Sequence, residues 1–490
     1  MSTWRAGDPG GQPAASSHAD SMAALANTYL IEDFAGARAT RPRGRVIVKG
    51  GTVLTMDAAI GDFVCGDVLI EDGRIAAVGP GLQVDAAAVI DATGKIVMPG
   101  LVDSHRHLWS AAFRRAIADA DGAVYSRLAN GLIPHIRPQD VHAATMMCTL
   151  SALHSGITTL LDYAHVSKSP EIADAAVSAH RQSGLRSVFT PARPRTGSSQ
   201  PPFPADLERL VKTYFSSRDQ LVTCRMGSPL EPQYYQMARK LGLGITTDGV
   251  FGIATPLRPM SSAQKVLDMA SAGELGPDVS LIHGTGFTPE VLQALSDHGV
   301  GLVLAPTSDS TLRGLGNSVP PIQGAMDFGL LDRTGISVDI EVSLCSDLFA
   351  QMRAIFTIQR VLSNAYWATG AENPSRTLTV REVLGMATIG GARTCGLGSE
   401  TGSLTPGKQA DLVLVRTDGI NDGPLNNAVA HVVIGADAQS VDTVMVGGRL
   451  RKWQGQLVGH DVAAVLRDVT RSRDHLAAAS GLWTPDMIVS

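Results

Sequence analysis

The sequence predicts a (β/α)8 barrel inserted into a small composite β-sandwich domain built by both chain ends, and three observations predict it. Between Pro99-Gly100 and about residue 401, eight short apolar runs alternate with helix-length amphipathic segments. On either side of that stretch the texture changes to short alternating runs broken by Gly and Asp-Gly turns, the mark of antiparallel strands. At 490 residues the chain is long enough for one large barrel with an appendage.

Residues 1–44 are rich in Gly, Pro, Ser and Ala and are expected to form a flexible arm. From Arg45, the runs VIVKGGTVLTMD, DFVCGDVLIEDGRIAAVG and AAVIDATGKIVMPG read as the first half of the β-domain, residues 45–98. The eight barrel strands are then expected at GLVDSHRH (100–107), GITTLLDYAH (156–165), LRSVFTPA (185–192), LVTCRMGS (221–228), LGITTDGV (243–250), VSLIHGTG (279–286), GVGLVLAPTS (299–308) and GISVDIEV (335–342). Segments such as PEIADAAVSAHRQSG and TPEVLQALSDHG supply the intervening helices. A doubly wound open sheet would show the same alternation, but no glycine fingerprint opens a first helix. GSLTPGKQADLVLVR and VDTVMVGGRL return to the β texture and complete the composite domain over residues 402–458. The barrel then occupies 99–401 and a helical tail 459–490, its helix expected at about 461–475.

Hydrophobic residues make up 44% of the chain and charged residues 18%, which suits a buried core and excludes general disorder. Lys and Arg number 41 against 46 Asp and Glu, a net charge of −5, and no basic run tracks a phosphate backbone, so nucleic acid is not an expected partner. No apolar run reaches the roughly 18 residues of a membrane span, so no membrane association is expected either. Five scattered cysteines without a C-x-x-C fit a reducing compartment, and a cytoplasmic location is expected.

Chemistry in such a barrel sits at the C-terminal ends of the strands, so the polar residues that close each apolar run are the candidates. The first run ends in Asp103-Ser104-His105-Arg106-His107, and residues two apart in an extended chain point to one side, so His105 and His107 can grip one ion. The second run ends in Asp162, Tyr163 and His165, the sixth in His283, and the eighth carries Asp339. His and carboxylate are the ligand types of a catalytic divalent metal with an open position.

PGLVDSHRH after a leader containing VIVKGGTVLTMD and VLIEDGRIAAVG, with GSLTPGKQADLVLVR and VDTVMVGGRL closing the chain, resembles the amidohydrolase superfamily. Within it the pattern resembles the cytosine-deaminase-like branch that includes atrazine and triazine hydrolases, over residues 45–455. The resemblance implies one divalent metal per chain, Zn first, with His105, His107 and Asp339 among its ligands. It further implies Asp339 as general base, His283 as the residue that steers water and substrate, a small cyclic or heteroaromatic substrate, and a dimer or tetramer. The reaction it implies is hydrolysis of a C–N, or C–Cl, bond by metal-activated water.

This sequence departs from the family pattern at the fifth strand, where LGLGITTDGVFG contains no His-x-x-Glu. Asp248 falls at the ligand position and Phe251 at that of the glutamate. Two carboxylates would make the metal less electrophilic and tilt preference toward Fe or Mn. Without the glutamate, simple cytosine- or adenine-type deamination loses its proton donor, leaving His283, His165 or Tyr163 for that role. Trp109, Phe113 and Arg114 are placed to cover a flat ring, Asp309 in APTSDSTLRG to line the pocket, and Arg353 to meet a substrate anion. The altered fifth strand also fits a non-hydrolytic lyase, decarboxylase or isomerase on the same scaffold, or a binding protein that has lost catalytic power.

Overall fold

The computed structural model describes residues 44–482 except 86, 198–200, 202, 315–318 and 371–375. The expected arm thus lies, but for Gly44, outside the described residues. The first five strands are β1 (Arg45–Val53), β2 (Phe63–Glu71), β3 (Arg74–Gly79), β4 (Ala88–Asp91) and β5 (Lys95–Pro99). Asp72-Gly73, both with positive φ, turn β2 into β3, as the Asp-Gly signal requires.

The barrel strands follow: β6 (Leu101–Arg106), β7 (Ile157–Ala164), β8 (Arg186–Pro191), β9 (Val222–Gly227), β10 (Gly244–Val250), β11 (Val279–His283), β12 (Gly301–Leu304) and β13 (Thr334–Ile336). All eight coincide with the apolar runs read from the sequence. They pair in chain order, each neighbour parallel. Val102, Leu161, Val188, Ile282 and Val303 pack together with Tyr163 in one cluster, while their neighbours Leu160, Leu281 and Leu302 pack with helix residues such as Val291 and Leu295 in another. That period-2 division separates a barrel interior from a strand–helix layer.

The eighth strand is shorter than the expected 335–342. Its ladder stops at Ile336, and Asp339 adopts φ 68°, which takes the chain out of the extended conformation. The barrel closes through this irregular segment. The Asp339 N–H donates to the His105 carbonyl (3.1 Å) and the His107 N–H donates to the Asp339 carbonyl (2.9 Å).

After the barrel come β14 (Leu412–Arg416), β15 (Val441–Val446), β16 (Arg449–Trp453) and β17 (Gln456–Leu457), then a helix at Val462–Ser480. Both chain ends meet in one nine-stranded sheet, ordered β17-β16-β15-β14-β5-β1-β2-β3 with β4 paired to β1. The Gly-Lys-x-Ala-Asp-Leu signal has a structural cause. Asp411 accepts from Arg186 Nε of β8 (2.6 Å) and from the Gly447 N–H (2.7 Å), tying this sheet to the barrel. Among the described residues, no helix is long and apolar enough to cross a membrane.

Candidate metal centre

His105 and His107 leave the end of β6 on one side, as i and i+2 positions must, and both rings are buried. Asp339 reaches them from the segment after β13: its Oδ1 lies 3.2 Å from His105 Nε2 and 3.5 Å from His107 Nε2. Asp248 enters from β10, with Oδ2 3.4 Å from His107 Nε2 and Oδ1 3.8 Å from His105 Nε2. His283, the last residue of β11, places Nε2 3.3 Å from Asp248 Oδ1. Four ligands held about 2.0–2.1 Å from one ion stand roughly 3.3 Å apart, so these separations are those of a shared coordination sphere. The groups His105–His107–Asp339, His105–Asp248–His283 and His107–His165–Asp248 each bring one ligand atom per residue within 4.8 Å of one another.

The surroundings fix the ligand orientations. His107 Nδ1 bonds the Tyr163 carbonyl (2.9 Å), which makes Nδ1 the protonated nitrogen and turns the Nε2 lone pair toward the cluster. His283 Nδ1 lies 2.8 Å from Asp309 Oδ1, and the Ser308 hydroxyl donates to Asp339 Oδ2. His283 and Asp339 both carry positive φ (78° and 68°), conformations unfavourable to residues with a Cβ and typical of functional sites.

Electrostatics follow from burial among opposite charges. For Asp339 the burial that would raise its pKa is outweighed by His105, then His283 and His107, and it lies far below the carboxylate range. Asp248 is likewise lowered against burial, by His105, His107 and His283. His283 is raised well above the usual imidazole value, Asp309 and Asp248 overcoming burial. His165 goes the other way, lowered by burial and by His107, and stays neutral.

The remaining predicted residues divide. Trp109 donates its indole N–H to His165 Nε2 (2.9 Å), and the His165 ring lies 4.1 Å from that of His107, so both border the centre. The Tyr163 ring packs edge-on at 5.8 Å from both ligand imidazoles. Phe251 stacks on His283 at 5.0 Å, and Asp309 is the buried partner of His283 just described. Arg353 is not brought to the cluster: its guanidinium donates to the Ala436 carbonyl (2.7 Å), because the helix Leu348–Ala368 turns that face toward the C-terminal part of the chain. Arg114 pairs with buried Glu341 instead of covering a ring, and Asp162 bonds His180 Nε2 (3.0 Å). Sequence reasoning missed Arg195 and Arg258, which stand next to the ring shell. The signal was their place in Pro-Ala-Arg-Pro-Arg and Pro-Leu-Arg-Pro, loops just past the third and fifth strands.

A parallel eight-stranded barrel with His-x-His on its first strand and an Asp after its eighth defines a barrel hydrolase. The family model described as amidohydrolase family matches residues 258–451 of the chain. It is 27% identical over 461 residues to 5'-deoxyadenosine deaminase of Methanosarcina mazei, covering 88% of this chain and 98% of that protein. It is also 27% identical over 472 residues to 8-oxoguanine deaminase of Pseudomonas aeruginosa, covering 88% and 97%. In fold it is similar to an adenosine deaminase from Xanthomonas campestris with bound zinc, at a TM-score of 0.76 and 21% identity over 88% of this chain and 98% of that one. An atrazine chlorohydrolase from Arthrobacter aurescens complexed with zinc gives a TM-score of 0.71 and 22% identity over 87% and 100%.

Proposed function

We propose that the protein is a metal-dependent hydrolase that cleaves a C–N, or C–Cl, bond of a small heteroaromatic compound, with His105, His107, Asp248 and Asp339 as the metal ligands. The observation that carries this is the convergence of those four side chains, from the end of β6, from β10 and from the segment after β13, at the spacing of one coordination sphere. Zinc is the first candidate; the two carboxylates also suit iron or manganese. A divalent cation held there supplies Lewis-acid activation of water and substrate.

The chain's own groups supply the proton transfers. Asp339, kept ionised by its imidazole neighbours, is the base that takes the proton of the attacking water. Its Oδ2 is oriented by the Ser308 hydroxyl. Phe251 stands near the centre where the resemblance implies a glutamate, so the leaving group needs another donor. His283 fits: Asp309 holds its Nδ1, favours the imidazolium, and leaves Nε2 facing the centre. His165 does not, because burial beside His107 keeps it neutral and its Nε2 already accepts from Trp109.

The test combines elemental analysis with labelled water. The parent is expected to hold about one equivalent of Zn, Fe or Mn, Asp248→Ala to lose most of it, and turnover of aminated or chlorinated pyrimidines, purines and triazines in H2(18)O to place one labelled oxygen in the product. A metal-free parent would retire the reading. Phe251, standing where the resemblance implies a glutamate, favours a second reading, a lyase or isomerase on this scaffold, which product formed without label would establish.

A further inference from the structure

Resting on the hydrolase reading, the geometry points to a substrate that carries an oxyanion, such as a carboxylate, held by Arg195 and Arg258 at the rim of the metal centre. Each arginine is one packing step from a residue of the centre. The Arg195 backbone N–H donates to the His165 carbonyl (3.0 Å), which fixes the root of its side chain, and the His165 ring lies 4.1 Å from that of His107. The Arg258 guanidinium sits 4.5 Å over Phe251, which stacks 5.0 Å from His283. Arg258 Nη1 also reaches the carbonyl of Gly249, the residue after Asp248, at 3.3 Å. A Cβ at Gly249 would stand 3.0 Å from that nitrogen, and φ is +73°, so glycine there permits the approach.

Neither arginine is spent on structure as the neighbouring ones are. Arg106 and Arg114 both end on Glu341. Among the described residues, by contrast, no carboxylate lies within 4.0 Å of Arg195 or Arg258. The fork of Arg195 uses one of its donors, to Ser126 Oγ (2.9 Å), and rests 5.1 Å over the Tyr125 ring. A guanidinium has five N–H donors, so both forks keep most of theirs for a ligand. The two cations are also electrostatic neighbours. Burial lowers the pKa of Arg258, Asp248 counters it, and Arg195 lowers it further. Asp248 and Asp339 are the carboxylates that act on Arg258, and both belong to the ligand set, so a balancing anion has to arrive with the substrate. Neutral heteroaromatic rings would leave two half-buried guanidinium groups in each other's field without one.

The experiment is calorimetric titration of the metal-loaded protein with an unreactive pair, pyrimidine-5-propanoate and pyrimidine-5-propanamide. Two charge-assisted hydrogen bonds predict that the carboxylate binds roughly tenfold or more tightly than the amide. Arg195→Gln and Arg258→Gln should each cut that ratio by most of its value, and Arg258→Lys, which keeps charge and stem, should leave an intermediate ratio even if a Gln variant does not fold. Equal binding of the two probes, or binding of neither, would overturn the assignment. So would a preference for carboxylate that survives in all three variants, since the anion would then be going to the metal. Failure of the hydrolase reading is scored separately, by metal content and oxygen labelling.

Discussion

Two clusters of buried charge share the mouth of the barrel, and their residues interleave along the same two segments. His105, His107 and Asp339 face one cluster; Arg106 and Glu341, offset from them by one and two positions, face the other. In the second cluster Arg106 bonds Asp103 Oδ2 (Nε, 2.8 Å) and Glu341 Oε1 (2.6 Å), Arg114 bonds Glu341, and the Cys148 thiol reaches Glu341 Oε1 (3.4 Å). Two carboxylates meet two guanidinium groups, and the charges cancel within the chain. In the first cluster the ion-pair partners of Asp248, Asp339 and Asp309 among the described residues are imidazoles, with the Ser308 hydroxyl adding a bond to Asp339. The difference teaches which cluster is complete and which awaits a cation, a distinction that burial alone does not make, since both are almost wholly buried.

Substitutions should separate the two clusters cleanly. Removing a ligand by His105→Ala, or the base by Asp339→Asn, is expected to lower turnover by several kcal/mol of activation free energy, roughly a thousandfold or more, with bound metal falling in His105→Ala. Melting temperature before metal loading should change little. Arg106→Met reverses the pattern: stranding Asp103 and Glu341 costs about 3–5 kcal/mol of folding stability in denaturant titrations, while the folded fraction binds metal at the parental stoichiometry. If Arg106→Met instead lost metal at unchanged stability, the clusters would be one unit.

Smaller changes sharpen the contrast. Asp309→Asn keeps the contact to His283 Nδ1 but weakens the charge behind it, and a loss of roughly 10–100-fold in kcat with little change in KM is expected. Beside Asp248 and Asp339, whose carboxylates are also depressed, the second cluster should contribute its own share of the acid limb of stability. Glu341 has its pKa lowered below 4.5, Arg114 and then Arg106 outweighing burial. A carboxylate depressed on folding contributes stability in full above its unfolded value and loses it as pH falls through the folded one. Glu341→Gln should therefore reduce the slope of unfolding free energy against pH below about 4.5, measured without metal; an unchanged slope would leave the acid limb to the first cluster.

What could be read in advance was what is local in the chain. The side shared by His105 and His107 follows from strand geometry alone, and the eight apolar runs mark the strands because period-2 burial shapes their composition. The eighth strand was read too long because Val338 and Ile340 continue an apolar alternation, while the left-handed turn at Asp339 is imposed by closure onto β6 and leaves no local trace. Arg353 and Arg258 show the same limit. A helix position and a loop position carry equal charge in the sequence, and only packing decides that one meets Ala436 and the other Phe251.

The central pairing of the nine-stranded sheet joins Pro99 to Leu412, so β5 finds its second neighbour only after the whole barrel has left the ribosome. Until then β5 lacks one neighbour, and its edge, Ile96 to Met98, is apolar and fully buried only in the finished sheet. Assembly of this protein is therefore paced by its most distant contacts, and a nascent chain arrested within the barrel would expose a sticky edge that chaperones have to shield.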